Sequence, residues 1–434
     1  LTRRAAGLHP DIGFIPHADP ERSLGMALSR TTRVNLLIGT AHFLSHFYVL
    51  CLPPLFLVWA AAFGVSFAQL GLTIALMSGT TAILQTPVGF LVDRHGARRF
   101  LIGGTLLMSL SIAGMGFAIQ FWQILVLSVL SGIGNSVIHP ADYAILAASV
   151  DKERMGRAFA FHTFNGNLGF ALAPPVIAFL LATIGWRDAV ILVGLLGVPC
   201  VAAIVLQSRI LSDQVHAHRQ HDAGPALSGR QLLLTRPMLL FFAFFMLSAM
   251  AAAGVQSWLI TVLHTVHGMD FAVAASALTF YMAGNTTGVL VGGWFADAHR
   301  RHILSFAVIL TVISAALMLA VGLLTMTDIA VIGAMFAAGL TMGASRTPRD
   351  VMVKDAAPPG QIGKVFGFIS AGLPLGQALT PVPFGFLLDR GHPELVMVLV
   401  ALLLLASLFC GGTARQVARA AVGEAAPTPL AAAE

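Results

Sequence analysis

Apolar runs of about 20 residues, each long enough to cross the hydrocarbon core of a bilayer as a helix, recur along almost the whole of this 434-residue chain. No other feature restricts the fold as much. Inside a bilayer the backbone N–H and C=O groups have no water to bond, so a succession of such runs must fold as a bundle of helices. Composition agrees: only 10% of residues are charged and the mean hydropathy is +0.84, whereas a soluble domain carries about 25% charged residues. The expected fold class is an all-α membrane protein with twelve transmembrane helices, at 34–58, 68–91, 100–119, 122–149, 157–184, 188–207, 237–263, 272–296, 303–323, 328–352, 362–387 and 394–412. They divide into an N-terminal six-helix bundle (34–207) and a C-terminal one (237–412).

A polar linker at 208–236, holding His216, His218, Arg219, His221, Asp222, Gly224 and Pro225, separates the bundles. The tails, 1–33 and 413–434, read as cytoplasmic, and Pro10, Pro16 and Pro20 in a polar context mark the first as disordered. No cleavable signal peptide stands out, and the polar stretch ahead of Met26 raises the expectation that Met26 is the natural start.

The net charge of +6 and a pI near 9.8 do not point to nucleic acid, because the basic residues sit between apolar spans. Arg94, Arg98, Arg99, Lys152, Arg154, Arg157, Arg209, Arg219, Arg230, Arg236, Arg300, Arg301, Lys354 and Lys364 fall on one side of the predicted membrane, and only Arg187 and Arg390 on the other. That bias sets both termini in the cytoplasm of a cell with the protein in its cytoplasmic (inner) membrane. Cys51, Cys200 and Cys410 all lie within apolar spans and outline neither a disulfide framework nor a metal site.

The second half restates the first. Gly156-Arg-Ala-Phe-Ala-Phe161, Leu168-Gly169, Pro174 and Phe179-Leu-Leu181 recur 207 residues later as Gly363-Lys-Val-Phe-Gly-Phe368, Leu375-Gly376, Pro381 and Phe386-Leu-Leu388. Gly89-Phe-Leu-Val-Asp93 before Arg98-Arg99 recurs at an offset of 204 as Gly293-Trp-Phe-Ala-Asp297 before Arg300-Arg301. A duplicated six-helix unit can rock about its shared interface and open a central site to either side in turn.

The loop Gly89-Phe-Leu-Val-Asp-Arg-His-Gly-Ala-Arg-Arg99 resembles the signature loop of the major facilitator superfamily, and the likeness extends over residues 34–412. It implies that Asp93, Arg94, Arg98 and Arg99 form a charge network latching the outward-facing form, with Asp297 and Arg300 as a weaker echo and Gly89 allowing close helix approach. The alternative is a loop held inside by its positive charge alone. Gly134-Asn-Ser-Val-Ile-His139-Pro140 and Gly166-Asn167-Leu-Gly169 are locally similar to the fosmidomycin-resistance group of exporters, although Ala173-Pro174 stands where the antiporter signature has Gly-Pro.

Ionisable side chains within membrane spans are costly and need a partner or an aqueous cavity. Helix 4 carries His139 and Asp142 on one face, with Tyr143 beside them, and helix 10 carries Arg346, Arg349 and Asp350. The offset of 207 maps His139 onto Arg346 and Asp142 onto Arg349, so an acid and an imidazole are expected to face two guanidiniums across the cavity. Alternatively, helix 10 ends near Ser345, residues 346–360 form a solvated loop, and Asp350 pairs with Arg346. Helix 1 presents His42 and His46 four apart on one face, and histidine can carry a proton near neutrality. Helix 5 adds His162, Asn165 and Asn167, and helix 8 adds Tyr281, Asn285, Thr286 and Thr287, either lining the cavity or bonding helix to helix. Gln256 and Trp258 of helix 7 are further cavity candidates.

No GxxxxGK[ST] loop, zinc-ligand spacing or Ser-His-Asp arrangement stands out, so no cofactor, metal or enzymatic activity is expected. The expectation is a monomeric secondary transporter in a lipid bilayer, moving a small polar or anionic solute by alternating access with proton coupling. Arg346, Arg349, His139, Tyr281 and Asn285 are the candidate solute-binding residues, and Asp142, His42, His46 and His162 the candidate proton carriers. Drug efflux by proton antiport and a non-transporting membrane sensor are the alternatives.

Overall fold

A computed structural model of the chain describes residues 29–150, 154–212, 234–356 and 362–424. Met26, residues 1–28 and 425–434 of the predicted tails, Lys152 and the linker positions 213–233 lie outside the described residues, as do the side chains of Asp297, Arg300 and Lys364. The described residues form twelve helical rods and no strand. They are α1 (Arg30–Phe63, turning at Pro53–Leu55), α2 (Phe67–His95), α3 (Ala97–Met115) and α4 (Phe121–Ser149). The run Met155–Leu195 reverses at Gly185, φ +78°, which divides it into α5 and α6, and Gly197–Leu206 continues α6. The second half holds α7 (Arg236–His267), α8 (Phe271–Ala298), α9 (Ile303–Leu323), α10 (Asp328–Ala356), α11 (Ile362–Asp389, in three segments) and α12 (Glu394–Glu424).

Local chemistry sets many of these ends. Ser66 accepts from the Gln69 N–H while the Gln69 side chain accepts from Ser66, a reciprocal cap on α2, and Asp270 accepts from the Ala272 N–H to cap α8. Each follows a left-handed glycine, Gly64 or Gly268, both at φ +62°. The paired glycines and the paired caps each repeat at the offset of 204. The last helix runs past the predicted end at 412 because Thr413–Val422 is rich in alanine and arginine, both strong helix formers. The alternative of a solvated loop after Ser345 is overturned: Arg346–Ala356 is helical, following a single break at Ser345.

Large apolar side chains such as Ile83, Phe90, Leu206, Ile329 and Phe409 point outward, the surface that lipid rather than water would wet. Between helices the driving force is close packing of small residues. On α8, Gly284, Gly288 and Gly292 lie against the carbonyls of Phe336, Leu340 and Ala344; on α10, Gly339 and Gly343 lie against those of Tyr281 and Asn285. Any side chain at these five positions would drive into backbone. The first half has a smaller counterpart, Gly104 of α3 against Gly134 of α4. Gly343→Val is therefore expected to destabilise the fold by about 1–3 kcal/mol, seen as a lower melting temperature of the detergent-solubilised protein. Gly333→Val, which meets nothing within 4 Å, is expected to leave it unchanged.

Candidate functional site

The N-terminal bundle gathers four histidines from three helices. The rings of His42 and His46 (α1) are 4.4 Å apart, His42 stacks on His162 (α5) at 3.7 Å, and His139 (α4) lies 5.1 Å from His42 and 5.9 Å from His46. His42 Nδ1 donates to the carbonyl of His162 at 2.8 Å, which leaves its Nε2 as the lone-pair nitrogen, buried and without a partner. Gly166 of α5 provides the space: a Cβ there would meet Cε1 of His42 at 2.7 Å and Cε1 of His46 at 2.9 Å. Asp142 sits fully buried one helical turn beyond His139, and neither of its oxygens has a hydrogen-bond partner among the described residues; His162 Nδ1 is 3.8 Å away. The ring of Tyr143 lies 6.0 Å from His139 and 5.6 Å from His162.

Across the interface stands Arg346. Its guanidinium is within electrostatic reach of His46 in the other bundle and of Tyr281 on α8. The Tyr281 hydroxyl, fully buried, donates to Met342 Sδ at 2.9 Å. Arg349 is engaged elsewhere: it pairs with Asp350 at 3.1 Å and lies over the Phe245 ring at 3.9 Å. Among the described residues no ion pair joins Asp142 to Arg349; the ionisable neighbour of each lies in its own bundle. Asp350 likewise pairs with Arg349 and not with Arg346. Asn285 is buried against the α8–α10 glycine seam, while Thr286 and Thr287 bond back to carbonyls of their own helix.

The two ends of the molecule differ. At the arginine-rich end Arg33 donates to Gln207 and Arg98 to the Ser208 carbonyl, ties within the N-terminal bundle. Asp93, Arg94 and Arg99 are exposed there, and among the described residues no ion pair joins Asp93 to another group. A Cβ on Gly89 would meet nothing within 4 Å, so the close helix approach expected at this glycine is absent in this arrangement. At the opposite end the bundles are sealed together. The Asp389 carboxylate (α11) accepts the Phe67 and Ala68 N–H groups at 2.7 and 2.9 Å, so one bundle caps a helix N-terminus of the other. Gly71 and Gly385 let the backbones touch, and Trp258 donates to the Pro381 carbonyl at 3.0 Å while packing on Phe56 and Phe67. Beneath this seal Ser78, Gln256, Ser257 and Gln377 line a cavity of only about 10 Å³. Trp258, expected in the cavity wall, belongs to the seal.

Sequence reasoning missed Asp389 as a functional residue. A signal was present: Gly385-Phe-Leu-Leu-Asp389-Arg390 restates Gly89-Phe-Leu-Val-Asp93-Arg94. It also missed that His42, His46 and His139 converge, each offering a ligand atom within 4.8 Å of the others; the His-x-x-x-His spacing on α1 is the kind by which a helix presents two histidines to one metal.

The chain matches the family model of the Major Facilitator Superfamily over residues 38–278 and 259–432. It belongs to that superfamily, and so is a multi-pass membrane protein of a transporter family. A fosmidomycin resistance protein of Escherichia coli is 25% identical over 88% of this chain and 94% of its own length. The membrane sensor protein UhpC of the same species is 26% identical over 76% of this chain and 79% of its own length. A probable L-galactonate transporter, also from Escherichia coli, is 30% identical over a local stretch covering 31% of this chain and 30% of that protein. Among solved structures, a bacterial homologue of the human lysosomal transporter Spinster has the same fold, with a TM-score of 0.74, 15% identity, and coverage of 92% of this chain and 98% of that one.

Asp389→Asn removes the charge from the inter-bundle cap. It is expected to weaken the seal by about 1–2 kcal/mol, roughly 5–30-fold in the opening equilibrium. The check is the labelling rate of a cysteine placed at Gln256 in a background lacking Cys51, Cys200 and Cys410.

Proposed function

We propose that this protein is a secondary active transporter that moves a small anionic solute across the cytoplasmic membrane by alternating access, coupled to protons. The placement of Arg346 carries the reading. Its guanidinium faces the histidine cluster across the bundle interface and forms no ion pair among the described residues, the nearby Asp350 being taken by Arg349, and an anionic solute would supply a counter-charge through charge-assisted hydrogen bonds. Tyr281 and His139 would add polar contacts from either side. A relative named for L-galactonate, a sugar-acid anion, supports this substrate class. Arg349, held by Asp350 and Phe245, would position α10 and shape the charge around the solute.

Asp142 is the preferred proton carrier. It is buried, has no hydrogen-bond partner or Lys or Arg ion pair among the described residues and is reached from the cluster through His162, the setting in which intramembrane carboxylates act in proton relays. The Lys and Arg bias would put the arginine-rich end and both termini in the cytoplasm. The sealed end then faces outward, and the described arrangement is the inward-open one. Asp93 with Arg94, Arg98 and Arg99 would engage as a latch when the inner end closes, with Asp297 and Arg300 acting in the other half.

Two other readings have specific support. The fosmidomycin resistance relative favours efflux, and the relative named as a membrane sensor favours a non-transporting receptor. Counterflow in proteoliposomes with a panel of carboxylates, sulfonates and phosphonates separates them: a transporter exchanges one of these anions, and a sensor exchanges none. Arg346→Ala is expected to raise the KM for the transported anion by about 10–100-fold, in line with about 1.5–3 kcal/mol for a hydrogen bond to a charged group. Asp142→Asn is expected to abolish accumulation driven by a pH gradient while sparing solute counterflow. Accumulation that ignores the pH gradient in the unmodified protein would remove the coupling claim.

A further inference from the structure

We propose that His42, His46 and His139 form a binding site for a divalent transition-metal ion of the zinc, cobalt or nickel class. Neutral imidazole nitrogens are the ligands these ions favour, and three of them plus one open position make a common zinc environment. The three side chains each present a ligand atom within 4.8 Å of the others. Tetrahedral zinc with bonds of 2.0–2.1 Å would hold its ligand nitrogens about 3.3 Å apart. Closing the difference takes movements on the order of 1 Å, which the broad χ2 well of histidine allows.

The surroundings are those of a metal site. His42 donates its Nδ1–H to the backbone carbonyl of His162, as a ligating histidine characteristically does with its non-ligating nitrogen. That bond fixes the tautomer and leaves Nε2 buried and unpartnered, with its lone pair free to ligate. Buried Nδ1 atoms of His46 and His139 are unpartnered as well. Among the described residues these three nitrogens have no hydrogen-bond partner, although unpaired buried polar groups are costly. Gly166 leaves room for the two α1 rings, with no side chain to separate them.

The charges nearby define the occupant further. Asp142 supplies a carboxylate behind His162, itself stacked on His42. Arg346 lies within electrostatic reach of His46 and opposes a bare dication, so the ion would carry an anionic oxygen or halide in its fourth position, toward the cavity. The site stands on its own geometry and does not depend on the transport reading.

The test uses the full chain in lipid nanodiscs, purified through a tag without histidine and with His216, His218 and His221, close together in the linker sequence, replaced by alanine. Co²⁺ alone is titrated in, followed by its visible absorption, and Zn²⁺ is added as competitor with calorimetry as a second readout. The expected result is saturation at one ion per chain, displacement by Zn²⁺, and affinity lower by roughly 100-fold or more in His42→Ala, His46→Ala and His139→Ala. His264→Ala, whose Nδ1 bonds the Met269 carbonyl away from the cluster, is expected to bind like the parent. Gly166→Ala keeps all three ligands and is expected to weaken binding about 10-fold by displacing the rings. Should an alanine variant fail to fold, His46→Gln and His139→Gln preserve the side-chain volume and carry the same expectation. Absence of saturable Co²⁺ binding, or binding that survives these substitutions, overturns the proposal. No solute flux enters these readouts, so metal binding and transport succeed or fail separately.

Discussion

A bilayer interior offers no water to a polar group, and most of this architecture follows from that constraint. Backbone groups are satisfied inside each helix, so the helices are long and meet through side chains of little bulk. The seam of α8 and α10 takes this to its limit, with five glycines set against carbonyls of the facing helix. The same constraint drives ionisable groups away from lipid. His42, His139, His162 and Asp142 meet on the inner faces of α1, α4 and α5, while Ile83, Phe90 and Phe409 face outward. A rigid pair of helices carries Arg346 on one side, and a glycine-relieved pocket carries the histidines on the other.

The two ends of the molecule use related sequence for opposite purposes. Gly89–Arg94 lies at the arginine-rich end with Asp93 unengaged among the described residues, and Gly385–Arg390 lies at the sealed end with Asp389 bound to two backbone N–H groups. In both, an aspartate follows a glycine by four positions at the end of a helix. At the sealed end the glycine lets α11 touch the start of α2, and the aspartate then finds unsatisfied N–H groups. Even Arg187 and Arg390, the exceptions to the charge asymmetry, have local tasks: Arg187 donates to the Gly116 and Ala118 carbonyls beyond the end of α3, and each arginine lies over a neighbouring aromatic ring.

The division of charge between the halves is the chemical core of the site. The N-terminal bundle contributes imidazoles and one carboxylate. The C-terminal bundle contributes a guanidinium, which stays charged. An anion between them would touch both, and movement of one bundle against the other would change its contacts without breaking either half.

The twelve helices, the fold class and the duplicated plan were legible in sequence because bilayer thickness and hydrophobic length are coupled directly, and because the repeat survives residue by residue from Gly156 to Leu181 and from Gly363 to Leu388. His139 with Asp142, His42 with His46, and Arg346 were each legible as polar groups where lipid forbids them. Their partners were not. That Asp142 neighbours His162 and not Arg349, that Phe245 holds Arg349, and that His139 completes a triad with α1 depend on how α1, α4, α5, α7 and α10 are rotated and how closely glycine lets them approach. Asp389 reaches Phe67 across 322 positions of chain, a separation over which spacing carries no information. Periodicity along one helix determines which residues share a face; only the packing of helices decides what that face meets.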